Sequence, residues 1–198
     1  MWTSANSIAK LLFLLLLVEA SFGLRYYHDW FPNGSVWFRW DIMSETRGSY
    51  TANVTIINYM KYHDIEGPWR LTWLFMEDEI LLSTVGAEGK QVTLPGRVLV
   101  DKNKWSSPLN AVIVTEQIIP NCSTGSVIHS WYKDEADLAK SSTSFQITVA
   151  RVESLWPPSY VEFSTPRSEY LCHSLLPSPR TPGYIDTWKG RCGILIES

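Results

Sequence analysis

Apolar and polar residues alternate with a period of two along most of the chain, the pattern of β-strands with one buried face. The alternation is clearest at 35–42 and 49–59, and weaker strands are predicted at 97–100, 111–116, 126–131, 144–152, 160–163 and 184–188. Residues 69–75 and 79–85 alternate too, and the second is predicted to be the hairpin partner of the first. Only residues 134–140 suggest a helical turn or two. Many short strands separated by turn residues predict an all-β fold, namely an immunoglobulin-like or carbohydrate-binding-module-like β-sandwich.

The first 23 residues follow a different pattern. Lys10 precedes an apolar run at 11–18, and small residues follow, with Ser21 and Gly23 at the −3 and −1 positions of a cleavage site. The run is far shorter than the roughly 20 residues of a spanning helix, so residues 1–23 are predicted to be a signal peptide. A sandwich is predicted over 24–155. The Pro-rich residues 156–198 are predicted to complete the domain and to be closed by a disulfide, with an irregular segment at 156–183.

Export predicts glycans and disulfides. Three acceptor sequons begin at Asn33, Asn53 and Asn121, and Asn53 falls on the polar face of its strand. Cys172 and Cys192 can close a loop of about twenty residues, worth about 3 kcal/mol in the chain-entropy model. Cys122 is then a free thiol, an intermolecular bridge or a residue whose partner is lost. The end of the chain carries no long apolar tail, so we expect no lipid-anchor signal and a soluble mature chain.

Composition and motifs exclude several classes of function. Seventeen basic and twenty acidic residues give a net charge of −3 without a basic stripe, which argues against nucleic-acid binding. The sequence has no nucleophile elbow, zinc-protease motif or phosphate loop, so we expect no metal and no cofactor. Glu77 and Glu79 would lie about 7 Å apart on a strand, a separation that an inverting glycosidase tolerates. An acidic turn is the favoured interpretation, and a glycosidase is the third-ranked hypothesis.

Ten tryptophans in 198 residues are the main anomaly of the composition. A flat indole offers sugar rings an apolar platform with an N–H at its edge. Trp37 is the best candidate, because it shares the polar face of its strand with Arg39 and Asp41, which could bond ring hydroxyls. Trp69, Trp73 and Trp131 are balanced between core and platform. The side chains predicted to be core are Phe38, Trp40 and Leu71.

Several of these segments, in this order, resemble the N-terminal half of the plant COBRA-like family over most of residues 28–192. Residues 39–44, Arg-Trp-Asp-Ile-Met-Ser, resemble its signature after the opening strand. Residues 67–75 and 79–87 resemble its Trp-rich run and its Glu-Val-Ile-Trp-x-Met-x-Gly-Ala segment. Cys172 and Cys192 resemble the last cysteine pair of that half of the family.

The resemblance implies an exported, glycosylated, non-catalytic protein of the apoplast, the cell wall or the outer face of the plasma membrane. Family members are usually lipid-anchored and influence cellulose microfibril deposition and cell growth, so cellulose or a related glucan is the expected partner. Glu45 and Leu82 stand where the family usually has Trp. These two departures keep an alternative open, namely a structural or protein-interaction sandwich that has lost glycan binding.

Overall fold

A computed structural model describes residues 31, 33–75, 78–94, 109–116, 127–131 and 137–197. The chain divides into two compact units, Met1–Asn33 and Gly34–Ser198, and every described strand belongs to the second. The predicted signal peptide and the strand predicted at 97–100 lie outside the described residues. So do Asn121, Cys122 and residues 134–136 of the stretch predicted to be a helical turn, whereas its residues 137–140 form a turn.

The described part of the chain is all β-strand and turn. Its strands are β1 (Val36–Thr46), β2 (Ser49–Asn58), β3 (Ile65–Glu66), β4 (Arg70–Leu74), β5 (Ile80–Val85), β6 (Ala87–Leu94), β7 (Leu109–Glu116), β8 (Val127–Ile128), β9 (Ser142–Ala150), β10 (Ser159–Ser164), β11 (Ser168–Cys172), β12 (Leu176–Pro177) and β13 (Asp186–Glu197). Within these residues no helix is long and apolar enough to cross a membrane.

The long strand β13 joins two layers of antiparallel strands. Its first half pairs with β1, which continues the order β1-β2-β9-β5, and its second half pairs with β11, which continues the order β11-β10-β4-β7-β6. Short β3 and β8 pair separately. The two layers face each other, because aromatic rings of β1 contact rings of β4 and β10. The all-β, sandwich-like fold predicted from the sequence is confirmed.

The core forms where the inward faces of the two layers meet. Alternate residues of β1, β2 and β9 point inward, as the period of two predicts. The Trp40 and Trp73 rings meet edge to face with centroids 5.0 Å apart, and Phe38 meets Phe163 at 5.4 Å. Edge-to-face contacts place the positive edge of one ring on the negative face of another. Trp40 and Trp73 are both 0% exposed, so these contacts lie at the centre of the sandwich.

The predicted hairpin between 69–75 and 79–85 was wrong. β4 pairs with β7 and β10, whereas β5 pairs with β9 in the other layer. The chain therefore changes layer between Phe75 and Ile80. The backbones of β5 and β6 do not pair with each other. The side-chain amide of Gln91 bridges the gap, accepting from the N–H of Leu81 (2.8 Å) and donating to the carbonyl of Glu79 (3.0 Å).

The strand predicted at 160–163 is confirmed as β10, and the rest of the Pro-rich stretch, expected to be irregular, contains the further strands β11 and β12. Its prolines occupy positions where a missing N–H costs little. Pro157 and Pro158 precede β10, Pro166 lies in the turn before β11, and Pro177 ends the short strand β12. Cys172 of β11 lies opposite Cys192 of β13, and the two form a disulfide. The loop that the sequence allowed is therefore closed within the second layer.

Candidate functional site

The outer face of the first layer, formed by β13, β1, β2 and β9, carries the best sequence candidate. Inward packing of Val36, Phe38 and Trp40 turns Trp37 to the opposite face, where it is partly exposed. Its indole N–H donates to the Ser35 hydroxyl at 2.8 Å. That bond orients the ring and satisfies its one polar group, so the apolar faces of the ring need no hydrogen-bond partner. The prediction that Trp37 lies on a polar outer face is consistent with this placement.

Two more aromatic rings continue the surface that begins at Trp37. The Tyr59 ring meets Trp37 at a centroid distance of 6.2 Å and an interplanar angle of 88°, and it meets Trp131 at 5.2 Å and 59°. All three are partly exposed. We call Trp37, Tyr59 and Trp131 the outer aromatic cluster. The structure therefore brings together two predicted residues, Trp37 and Trp131, through a third that the sequence analysis did not select.

The period of two could have identified Tyr59. It follows the end of β2 at the next outward position after Asn53, Thr55 and Ile57. Its backbone N–H donates to the carbonyl of Ser35 at 3.0 Å, so the pairing with β1 continues one residue past the assigned strand. The outward alternation of β2 thus ends in an aromatic ring beside Trp37.

Trp131 lies outside the sheet, and two buried polar residues position it. The Asn58 side chain donates to the carbonyls of His63 and Ile128, both at 2.9 Å, and accepts from the N–H of Met60 at 3.0 Å. The Ser130 hydroxyl donates to the Met60 carbonyl at 2.6 Å. Asn58 and Ser130 are both 0% exposed. These bonds lock residues 127–131 onto the turn after β2 and hold the Trp131 ring against Tyr59.

Arg39 and Asp41 are predicted to bond the hydroxyls of a sugar that stacks on Trp37, but the structure gives the two residues different roles. Asp41 is 0% exposed and accepts hydrogen bonds from Arg39 Nε at 2.7 Å and from the Thr187 hydroxyl at 2.8 Å. A buried carboxylate with these partners cannot reach a surface ligand, so the prediction for Asp41 was wrong. Arg39 keeps 29% of its side chain exposed and remains a candidate.

Trp69 and Trp73 belong to the core, so the platform alternative is wrong for both. Trp73 is 0% exposed against Trp40, and Trp69 is 2% exposed and stacks on Phe145 at 5.7 Å. β4 lies in the second layer with its apolar face inward, opposite the inward rings of β1 and β9. Neither indole face is accessible to a polysaccharide.

Two basic residues that the sequence analysis did not select lie beside Trp37. In the β1–β13 pairing, Arg191 is directly opposite Trp37, and Lys189 is directly opposite Arg39. Directly opposite residues of antiparallel strands have their Cβ atoms about 5 Å apart. Both residues are partly exposed. No sequence pattern marks them, because the pairing joins positions about 150 residues apart along the chain.

The remaining predicted sites have mixed placements. Asn33 is exposed in a turn, and Asn53 is partly exposed on the outer face, with its side chain 3.3 Å from the Thr55 hydroxyl. Of the predicted acidic pair, Glu77 lies outside the described residues and Glu79 is buried. Burial, reinforced by the nearby Glu79 carboxylate, raises the pKa of the Tyr50 phenol well above its usual range. Among the described residues, no three His, Cys, Asp or Glu side chains converge as metal ligands.

One shallow groove lies elsewhere, on the outer face of the second layer. It has a volume of about 270 Å³ and is lined by Arg70, Glu88, Gly89, Lys90, Ile113 and Thr115. None of these side chains is aromatic. A groove of this composition offers no ring on which a sugar could stack, so the outer aromatic cluster is the stronger candidate site among the described residues.

Comparison with known proteins gives a consistent result. The family model for the COBRA N-terminal domain matches residues 50–187. The chain is 33% identical to Protein COBRA of Arabidopsis thaliana over 159 residues, which are 74% of this chain and 34% of that protein. It is 32% identical to COBRA-like protein 2 of the same plant over 152 residues, with 71% and 34% coverage.

A rice relative extends the match to a second plant. COBRA-like protein 1 of Oryza sativa subsp. japonica is 29% identical over 161 residues, which are 72% of this chain and 34% of the relative. The match thus spans about a third of the length of each of these relatives. No solved structure matches the chain. The family model covers well over half of the sequence, and the chain therefore belongs to the COBRA family through its N-terminal domain.

Proposed function

We propose that this protein is a non-catalytic extracellular protein of the plant cell wall that binds cellulose or a related glucan through the outer aromatic cluster. Through that binding it takes part in cellulose microfibril organisation and cell growth. Membership in the COBRA family supports the cell-wall context. The observation that carries the binding proposal is the position of Trp37, which is partly exposed on a polar face and contacts the second of three adjacent rings.

The physical basis is the match between sugar rings and aromatic rings. A glucan presents apolar C–H faces and a rim of hydroxyls, so an indole removes the apolar face from water while polar neighbours bond the rim. Ser144 of β9 lies in the same row as Arg39 on this face, beyond Thr55 of β2, and supplies an exposed hydroxyl group. The cluster lies on paired strands and on a locked turn, so little conformational entropy is lost when a ligand binds.

The test is retention on crystalline cellulose of the wild type, Trp37→Ala and Trp156→Ala. Trp156 is 61% exposed and lies beyond the Ala150 end of β9, whereas the cluster lies near the Ser142 end. Trp156→Ala is therefore a matched control, because it removes an exposed indole away from the cluster. We expect Trp37→Ala to lose most of the retention and Trp156→Ala to keep it. Equal retention by all three would exclude the cluster as the site. No retention of the folded wild type would favour the structural or protein-interaction alternative.

A further inference from the structure

We infer that Tyr62 is a further sugar-binding residue of the candidate site, and that the ligand is an individual glucan chain rather than the flat face of a cellulose crystal. This inference rests on the proposed function, because it names the form of glucan that the outer aromatic cluster takes. The angles between the rings of the cluster support the single chain, and the hydrogen bonds that hold Tyr62 beside Trp131 support the additional contact.

The rings of the outer aromatic cluster do not share a plane. Trp37 and Tyr59 meet at an interplanar angle of 88°, and Tyr59 and Trp131 meet at 59°. A sugar stacks with its apolar C–H face against the face of an aromatic ring, so a flat crystal face can stack on only one of two rings that stand nearly perpendicular. A separate chain can turn at its glycosidic bonds between one ring and the next. The geometry therefore favours an individual chain.

Tyr62 is an aromatic residue that the fold holds in water. Its side chain is 77% exposed, and its φ of 61° lies in the left-handed region, which is unfavourable for a residue other than glycine. Its backbone N–H donates to the Ser130 hydroxyl at 3.1 Å, and that hydroxyl donates to the Met60 carbonyl at 2.6 Å. Ser130 is 0% exposed, so a buried group fixes this conformation. A conformation that is costly and yet fixed by its surroundings is typical of functional residues.

The bond to Ser130 places Tyr62 beside the outer aromatic cluster. Trp131 directly follows Ser130, and its N–H donates to the carbonyl of Asn58 at 3.0 Å. The side chain of the same Asn58 donates to the carbonyl of His63, the residue after Tyr62. Tyr62 and Trp131 therefore project from one hydrogen-bonded unit. A chain that stacks on the cluster gains a fourth aromatic contact at Tyr62, so its affinity should grow with its length.

The experiment measures binding of the soluble oligosaccharides cellotriose and cellohexaose by calorimetry, and retention on amorphous and on crystalline cellulose. The test variant is Tyr62→Gly, which removes the ring and suits the backbone, because glycine adopts positive φ freely. The control is Tyr160→Gly, which makes the same change at a tyrosine of β10 in the second layer that is 64% exposed with a φ of 51°. Tyr62→Phe keeps the ring and is the rescue variant.

We expect the wild type to bind cellohexaose more tightly than cellotriose. It should also be retained more strongly on amorphous cellulose than on crystalline cellulose, on which a single ring such as Trp37 can still stack. Tyr62→Gly should weaken cellohexaose binding about fivefold, the effect of one ring contact, and should change cellotriose binding less. Tyr62→Phe and Tyr160→Gly should bind cellohexaose as the wild type does.

The outcomes separate this inference from the proposed function. Retention on crystalline cellulose that depends on Trp37, without binding of either soluble oligosaccharide, would overturn the inference and leave the proposed function intact. Unchanged cellohexaose binding by Tyr62→Gly, or an equal loss in Tyr160→Gly, would also overturn the inference. Absence of binding to all four ligands by the folded wild type would overturn both proposals.

Discussion

The backbone N–H of Trp131 donates a hydrogen bond to the carbonyl oxygen of Asn58, 3.0 Å away. The Asn58 side chain also connects the turn after β2 with strand β8, because it donates to the carbonyls of His63 and Ile128. Trp131 therefore takes its position from a buried amide in the sheet and not from a strand of its own. A partly exposed ring of the candidate site thus depends on a residue that is itself fully buried.

Replacing Asn58 with alanine should lower both stability and polysaccharide retention. The change leaves the carbonyls of His63 and Ile128 and the N–H of Met60 without their partner, at a cost of about 1–3 kcal/mol in the free energy of unfolding. Urea denaturation measures the cost, and hydrogen exchange at the Trp131 amide reports the loosening. The exposed Gln146→Ala is the control and should change stability by less than about 0.5 kcal/mol. Unchanged exchange at Trp131 would mean that Asn58 does not position this ring.

The alternation of residues predicted which face each strand buries but not which strands pair. β1 and β2 begin within one residue of their predicted starts, and Phe38, Trp40 and Leu71 are buried as predicted. The period of two carries no information about partners, because any two amphipathic strands can pair. The partner of β5 was therefore assigned by proximity along the chain, and the structure pairs it with β9 instead.

The candidate site was only partly predictable for a related reason. Trp37 was found because polar neighbours mark its own strand face. Asp41 has the same local pattern, yet the Thr187 hydroxyl, 146 positions away, binds it in a buried site. For Trp73 the alternation marks an apolar strand face, but it does not show whether another layer of the sandwich covers that face. Burial that depends on distant parts of the chain is not encoded in local periodicity.

Trp73 and Trp37 should respond oppositely to truncation. Trp73→Ala removes a fully buried ring that contacts Trp40, so it should lower the free energy of unfolding by about 3–5 kcal/mol. Trp37→Ala removes a partly exposed ring and should cost about 1 kcal/mol or less. Chemical denaturation of both variants provides the comparison. A cost for Trp37→Ala as large as that for Trp73→Ala would place Trp37 in a structural role.

Asp41→Ala should destabilise the fold without weakening polysaccharide binding. It removes the acceptor of two hydrogen bonds, one of them from a charged Arg39, and should cost about 2–3 kcal/mol. The exposed Asp78→Ala is the control for charge and should cost little. Retention per unit of folded protein should not fall, because Asp41 cannot reach a ligand. A specific loss of retention at unchanged stability would return Asp41 to the binding site.

The disulfide between Cys172 and Cys192 should stabilise the protein mainly by restricting the unfolded chain. It closes a loop across a sequence separation of 20 residues, for which the chain-entropy model gives about 3 kcal/mol. Cys172→Ser/Cys192→Ser should therefore lower the denaturation midpoint by the corresponding amount. The pairing of β11 with β13 should persist in the folded variant, because the flanking strand residues also pair. Loss of hydrogen-exchange protection in β11 in the folded variant would contradict this view.

Tyr50 should make the protein sensitive to alkali. Its phenol is buried near Glu79, and both burial and that carboxylate raise its pKa above the usual value of about 10. A folded-state pKa above the unfolded value contributes stability that is complete below about pH 10. That stability is lost progressively as the pH rises above this value, because the unfolded chain then releases the proton first.

The melting temperature of the wild type should fall more steeply between pH 9 and pH 11 than that of Tyr50→Phe. The difference between the two proteins isolates this phenol from the other tyrosines, and exposed Tyr160→Phe provides the matched control. Parallel melting curves for wild type and Tyr50→Phe across this range would show that Tyr50 is not the group responsible.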